Sequence, residues 1–320
     1  MKHTEKILLS LRIACFAVLL VAVALRLGLN ALQPASVQAP ETAATVSSAE
    51  PAEAAEAAQY YPTLLYTPPD HGGLLTAEDT ELVSVRNMAG AIYDPEALLT
   101  ESLDFPLSDE PMILIVHTHA TEAYTPADGD DYSAAGSYRT TDTDHNVVRV
   151  GQALAQRLND NGIPTLHDTT LHDVPGYNDA YERAAAVISR YLEEYPSIRM
   201  VIDVHRDAAL DENGSEVAVN CSIGDREAAQ MMLVMGTDAA GLEHPGWQGN
   251  LSMALKLQAW CEKTSPGCFR PLQLRAERYN QYLTPYSILL EVGAAGNTLR
   301  QALCSAEFFA DRLTDLLLQG

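Results

Sequence analysis

Cysteine is scarce in this chain. The five are Cys15, Cys221, Cys261, Cys268 and Cys304 among 320 residues, and no two form a Cys-x-x-Cys pair. So few, at irregular spacing, do not make a disulfide framework. Cys261 and Cys268 flank the Pro266-Gly267 turn closely enough to bridge, but buried free thiols are the expectation. Positive charge is also thin: 20 Lys and Arg stand against 43 Asp and Glu, a formal net of −23. Lys2, Lys6, Arg12 and Arg26 against Glu5 give the first thirty residues +3, which leaves −26 for the remainder. A domain that negative does not bind nucleic acid through its overall field, and it tolerates a bound cation. Two catalytic signatures are missing as well. There is no Gly-x-Ser-x-Gly elbow for a serine nucleophile. There is no Gly-x-x-x-x-Gly-Lys-Ser/Thr loop to cradle phosphates.

What the chain has is an apolar run near its start, from Ile7 to Leu29, interrupted by Arg12 and Arg26. The uninterrupted part, Ile13 to Leu25, is short against the roughly 20 residues that cross a bilayer. Arginines near the ends snorkel, which makes the whole run usable. A cleaved signal peptide and an uncleaved anchor compete here. No small-residue cleavage site is clear after Leu29, so the expectation is an anchor over residues 1–30. In both cases the positive flank stays in the cytoplasm and the rest is exported. Residues 31–58 are rich in Ala, Pro, Glu, Ser and Gln, a composition that buries no core and reads as a tether. Residues 59–110 carry Pro-Pro and Gly-Gly turns and read as a juxtamembrane segment that partly packs on the domain. The folded domain is expected over 111–320.

That domain alternates strands and helices. The apolar strand Met112 to Val116 is followed by a helix over Asn146–Asn161, with Gly162 placed as its C-cap. A short strand at 163–166, a helix at 178–194 and a strand at 198–204 come next. Strands at 216–223 and 231–235, a helix at 248–264, a strand at 286–292 and a closing helix at 298–318 complete the series. The alternation predicts a three-layer α/β/α sandwich with a mixed sheet. Ligands in such sheets gather beyond the carboxyl ends of strands. His119, Glu122 and His205 fall at or just past strand ends, and Glu291 lies near the end of another.

Hydrolytic zinc needs three protein ligands and one open position for water. His119-Ala-Thr-Glu122 has the His-x-x-Glu spacing with which one tight turn presents an imidazole and a carboxylate to the same ion. The assignment is His119, Glu122 and His205 as ligands of Zn2+, with Glu291 as general acid/base. Glu291 sits in Ile288-Leu289-Leu290-Glu291-Val292-Gly293, where an acid without a partner is costly to bury. His117, two residues before His119, shares its face on an extended strand. Either histidine serves as the ligand, with the other as a supporting donor. Arg206, Arg270, Arg275 and Arg278 are candidates to hold an oxyanion or a substrate carboxylate. His145, His167, His172 and His244 read as structural or exposed.

These residues resemble a known family. The strand leading to His117-Thr118-His119-x-x-Glu122-x-Tyr124, then Tyr138-Arg139-Thr140-Thr141-Asp142, is similar to the opening motifs of the stage II sporulation protein P family. So are Asp203-Val204-His205-Arg206-Asp207, Tyr279-Asn280-Gln281 and Leu290-Glu291-Val292-Gly293. The resemblance covers roughly residues 110–318. It implies an exported, membrane-anchored peptidoglycan hydrolase of endospore formers that acts in engulfment beside stage II sporulation protein D. The implied activity is N-acetylmuramoyl-L-alanine amidase, with a stem-peptide endopeptidase activity also attributed to the family. The implied fold is that of zinc amidases and zinc carboxypeptidases. It carries the same roles onto His119, Glu122, His205 and Glu291. Ala120 and Ala123 depart from the family pattern, standing where small polar residues are expected. The competing reading is a non-catalytic wall-binding scaffold that recruits a partner hydrolase.

Overall fold

The computed structural model describes residues 75–127 and 138–319. The expected anchor (1–30) and tether (31–58) lie outside them. Among the described residues no helix is long and apolar enough to cross a membrane.

A 3-10 helix, Ala77–Leu82, leads into strand β1 (Val85–Asn87) and helix α1 (Pro95–Thr100). Then follow β2 (Ile113–Val116), α2 (Val147–Asp160), β3 (Thr165–His167), α3 (Ala180–Glu194) and β4 (Met200–Asp207). A small hairpin, β5 (Asn220–Ile223) with β6 (Arg226–Ala229), precedes β7 (Met231–Gly236) and α4 (Trp247–Thr264). The chain closes with β8 (Leu272–Arg275), β9 (Ile288–Ala294) and α5 (Leu299–Gln319). Seven strands form one mixed sheet in the order β1-β8-β7-β9-β4-β2-β3. Strands β3, β2, β4 and β9 run parallel, and β7 turns antiparallel against β9.

Local chemistry places the ends of the elements. Asn146 caps α2 by accepting the Val148 N–H at 2.9 Å. Gly162 follows that helix at φ +85°, a left-handed position open to glycine. Side-chain alternation then sorts the sheet into two faces. Ile113 and Ile115 of β2, Ile202 and Val204 of β4, and Leu290 of β9 enter the core shared with α1, α2, α4 and α5. Leu114, Val116 and Val201 point the other way and pack with Ile188 of α3. Sheet and helices therefore make the expected α/β/α sandwich. By the same parity Asp203, His205 and Glu291 stand on the α3 face.

Three details differ from the sequence reading. His205 lies inside β4 rather than past its end, because that strand continues to Asp207 through a register shift. The strand expected over 216–223 is confined to Asn220–Ile223, since Glu216 and Val217 pair with the neighbouring loop at Leu210 and Ala209. Strands β6 and β8 were not foreseen: Arg-Glu-Ala-Ala carries no β-branched residue, and Leu-Gln-Leu-Arg has only four positions to show its alternation. The described part of the 59–110 segment makes contacts with the rest of the folded unit. β1 pairs with β8, and Lys256 of α4 hydrogen-bonds the carbonyls of Leu98 and Leu99 at the end of α1. Cys221, Cys261, Cys268 and Cys304 are free thiols.

Two glycines give opposite expectations. A Cβ on Gly151 of α2 would stand 2.4 Å from His117 Nε2, whereas one on Gly249 of α4 meets nothing within 4 Å. Gly151→Ala should destabilise by about 1–3 kcal/mol through overpacking. Gly249→Ala should be neutral or stabilising by up to about 1 kcal/mol. Chemical denaturation of the two variants checks both signs.

Candidate metal centre

Strand β2 ends at Val116, and the chain turns immediately. Asp203 of β4 fixes the start of that turn by accepting the Thr118 N–H at 2.8 Å and the Thr118 hydroxyl at 2.6 Å. Asp173 fixes its far end by accepting the Thr121 N–H and hydroxyl. The Glu122 N–H donates to the His119 carbonyl at 3.1 Å, closing the turn. Ala120 and Ala123 are fully buried, so small apolar side chains fit where polar ones were expected from the family pattern.

This turn sets His119 and Glu122 against His205. One ligand atom from each of the three buried residues lies within 4.8 Å of the others. His119 Nδ1 is 3.8 Å from Glu122 Oε1, and His205 Nδ1 is 3.3 Å from Glu122 Oε2. The Arg206 N–H also donates to Oε2, at 3.2 Å. On the other side of its ring, His205 Nε2 lies 2.9 Å from Asp203 Oδ1. The two imidazoles meet edge to face, 5.2 Å between centroids.

Electrostatics put Glu122 and His119 in a ligating state and hold a proton on His205. Burial pushes the Glu122 carboxyl up, but His205 and Arg206 outweigh burial and bring it down to about 2. Burial and the neighbouring His205 bring His119 down to about 4, so its imidazole is neutral. Burial opposes charge on His205 too, yet Asp203 and Glu122 prevail and hold it well above its usual range. A cation bound among these atoms would take the place of that proton. Two imidazole nitrogens and one carboxylate oxygen, all buried and mutually close, fit the donor set and number that hydrolytic zinc takes.

Glu291 sits beside His205 in the β4–β9 register. Its Oε2 is closed off from solvent and has no hydrogen-bond partner. Burial raises the carboxyl to about 8, with Glu122 and Asp207 adding to it. His117 is elsewhere. Its ring keeps the parity of Ile113 and Ile115 and turns under Gly151 on the α2 face, whereas His119, past the end of the strand, leaves that alternation and meets Glu122. The His117 ring approaches the Val204 carbonyl through Nδ1 at 3.0 Å and His167 Nε2 through its own Nε2 at 2.8 Å. A carbonyl only accepts, so His117 carries its proton on Nδ1 and His167 donates from Nε2. Burial keeps both neutral, at about 4 and about 3.

The four arginines have different fates. Arg206 is spent on backbone, donating to the carbonyls of Ala123 at 2.9 Å and Tyr138 at 3.0 Å. Arg270 pairs with Asp207 at 2.6 Å and acts electrostatically on Glu291. Arg275 reaches Met88 Sδ at 3.3 Å, and Arg278 donates to the Glu243 carbonyl while lying over the Tyr282 ring. Three residues at the centre were not picked out from sequence. Tyr177 stacks on His119 with centroids 4.1 Å apart, Tyr181 meets the same ring edge-on at 5.5 Å, and Arg139 contacts Glu122 at 3.2 Å. Arg139 arrives through an antiparallel bridge with Glu122. Its presence in the Tyr138-Arg139-Thr140 run was the one available signal.

Solved structures similar to this chain include an N-acetylmuramyl-L-alanine amidase from Mycobacterium abscessus, at 13% identity over 65% of this chain and 97% of that one, with a TM-score of 0.36. Another is an N-acetylmuramoyl-L-alanine amidase from Clostridium difficile 630, at 14% identity over 66% and 95% of the two chains, with a TM-score of 0.34. Scores of this size carry no argument about function. A sequence relative, stage II sporulation protein P of Bacillus subtilis (strain 168), is 27% identical over 222 residues, 65% of this chain. The match takes in 51% of that relative, about half its length. The family model of stage II sporulation protein P matches residues 70–314, and the chain belongs to that family.

Proposed function

We propose that this chain is a zinc-dependent peptidoglycan hydrolase acting in engulfment. The reaction is hydrolysis of the N-acetylmuramoyl-L-alanine amide, with stem-peptide cleavage as a second activity of the same site. Residues 1–30 anchor it in the membrane and the domain works on the outer side, beside a lytic partner similar to stage II sporulation protein D. One observation carries the chemistry: His119, Glu122 and His205 converge within 4.8 Å next to Glu291, whose Oε2 is buried and unpartnered. Family membership supports the wall substrate and the place in sporulation.

His119, Glu122 and His205 would hold the ion, and Asp203 keeps the His205 ring in place from behind. Bound zinc supplies Lewis acidity and brings the ionisation of water to near neutral pH. Glu291 accepts the water's proton and returns it to the leaving nitrogen. Burial raises the carboxyl, which favours the protonated form that hands the proton to the leaving nitrogen, while a bound cation nearby would favour the ionised form that accepts it. Arg270, braced by Asp207, is the cation that faces developing negative charge on the Glu291 side.

Two sets of variants test this reading. Glu291→Gln should lower release of soluble fragments from purified peptidoglycan by about 100-fold or more while zinc content is unchanged. Undiminished release would remove Glu291 from the mechanism. Mass analysis of the wild-type products separates free stem peptides, the amidase outcome, from shortened peptides still linked to glycan. His205→Ala should lose zinc by elemental analysis, and His117→Ala, whose ring faces Gly151 and His167, should keep it. The reverse pattern would move the ligand assignment to His117.

A further inference from the structure

The proposed mechanism leaves Arg139 without a role, although it touches the proposed ligand set. Its Nη2 donates to Glu122 Oε1 at 3.2 Å. Its Nη1 donates to Asp173 Oδ2 at 3.1 Å and to Thr121 Oγ1 at 3.2 Å. Asp173 in turn accepts the Thr121 N–H and hydroxyl, so the guanidinium is pinned to the turn that carries His119 and Glu122. Its Cζ lies 5.0 Å from the centroid of Tyr177, the ring stacked on His119. Two buried carboxylates thus share one cation, 30% of whose side chain is exposed.

A purely structural role does not require this arrangement. Glu122 Oε2 is already supported by His205 and by the Arg206 N–H. What Arg139 adds is a full positive charge on the other oxygen of a ligand carboxylate. Groups that bind a ligating carboxylate from behind tune the ion it holds. We infer that Arg139 is a positioning residue of the metal centre: it draws charge from Glu122, so that less is donated to the ion and more of the ion's charge is left for water and substrate. Asp173 and Thr121 keep it there, and Lys at this position has no planar fork to span Glu122 and Asp173 together.

This inference rests on the zinc reading above, and the experiment separates the two. Zinc affinity of the full-length protein is measured by competition with a chromophoric chelator, and kcat and KM on soluble peptidoglycan fragments, for wild type, Arg139→Ala, Arg139→Gln and Arg139→Lys. Arg139→Ala should bind zinc as tightly as wild type or more tightly, because Glu122 and Asp173 lose their counter-charge. Its kcat should fall about 10- to 100-fold with KM little changed. Arg139→Gln, which keeps a donor toward Glu122 but no charge, should behave like the alanine variant and replaces it if that variant does not fold. Arg139→Lys should recover part of kcat. An unchanged kcat overturns the inference. Loss of zinc together with kcat makes Arg139 a support of the turn only, and a rise in KM alone makes it a substrate contact. Absence of zinc from the wild type defeats the metal reading itself.

Discussion

A buried carboxylate kept ionised is the constraint on which the rest of the site depends. Glu122 is almost inaccessible to water, and a lone anion there would be costly. It persists because His205, Arg139 and the Arg206 N–H converge on it from three segments of the chain. Each partner is itself held: His205 by Asp203, Arg139 by Asp173, Arg206 by the carbonyls of Ala123 and Tyr138. Removing one member of such a network leaves the remaining charges less compensated, so each change is felt beyond its own contact.

The sheet makes that convergence possible. β4 lies between β2 and β9, so the turn after β2, His205 on β4 and Glu291 on β9 are neighbours in space although they span residues 117 to 291. Parity does the remaining work. Residues 203, 205 and 291 face α3, while the alternate residues Val204 and Leu290 fill the core with the other helices. One sheet thus has an apolar side that stabilises the fold and a polar strip that carries the candidate site.

Much of this was legible from sequence. The apolar run Met112 to Val116, the Asn146 cap and Gly162 marked β2 and α2 because their signals are local. The His-x-x-Glu spacing named two members of the cluster, and an acid in an apolar strand singled out Glu291. The separation of His117 from His119 was not legible, because it depends on the chain turning after Val116, which takes His119 off the shared face, and on the bare surface of Gly151 and His167, which receive His117. Arg139, Tyr177 and Tyr181 were missed for a related reason. Their places are set by loop and bridge contacts to residues distant in sequence, which no periodicity encodes.

The central claim is that His119, Glu122 and His205 together bind one zinc ion. X-ray absorption at the zinc edge on the purified full-length protein tests it most directly. The account predicts a first shell of nitrogen and oxygen only, at about 2.0–2.2 Å, with the outer-shell scattering of two imidazoles. A shell containing sulfur, or one without imidazole scattering, would contradict it.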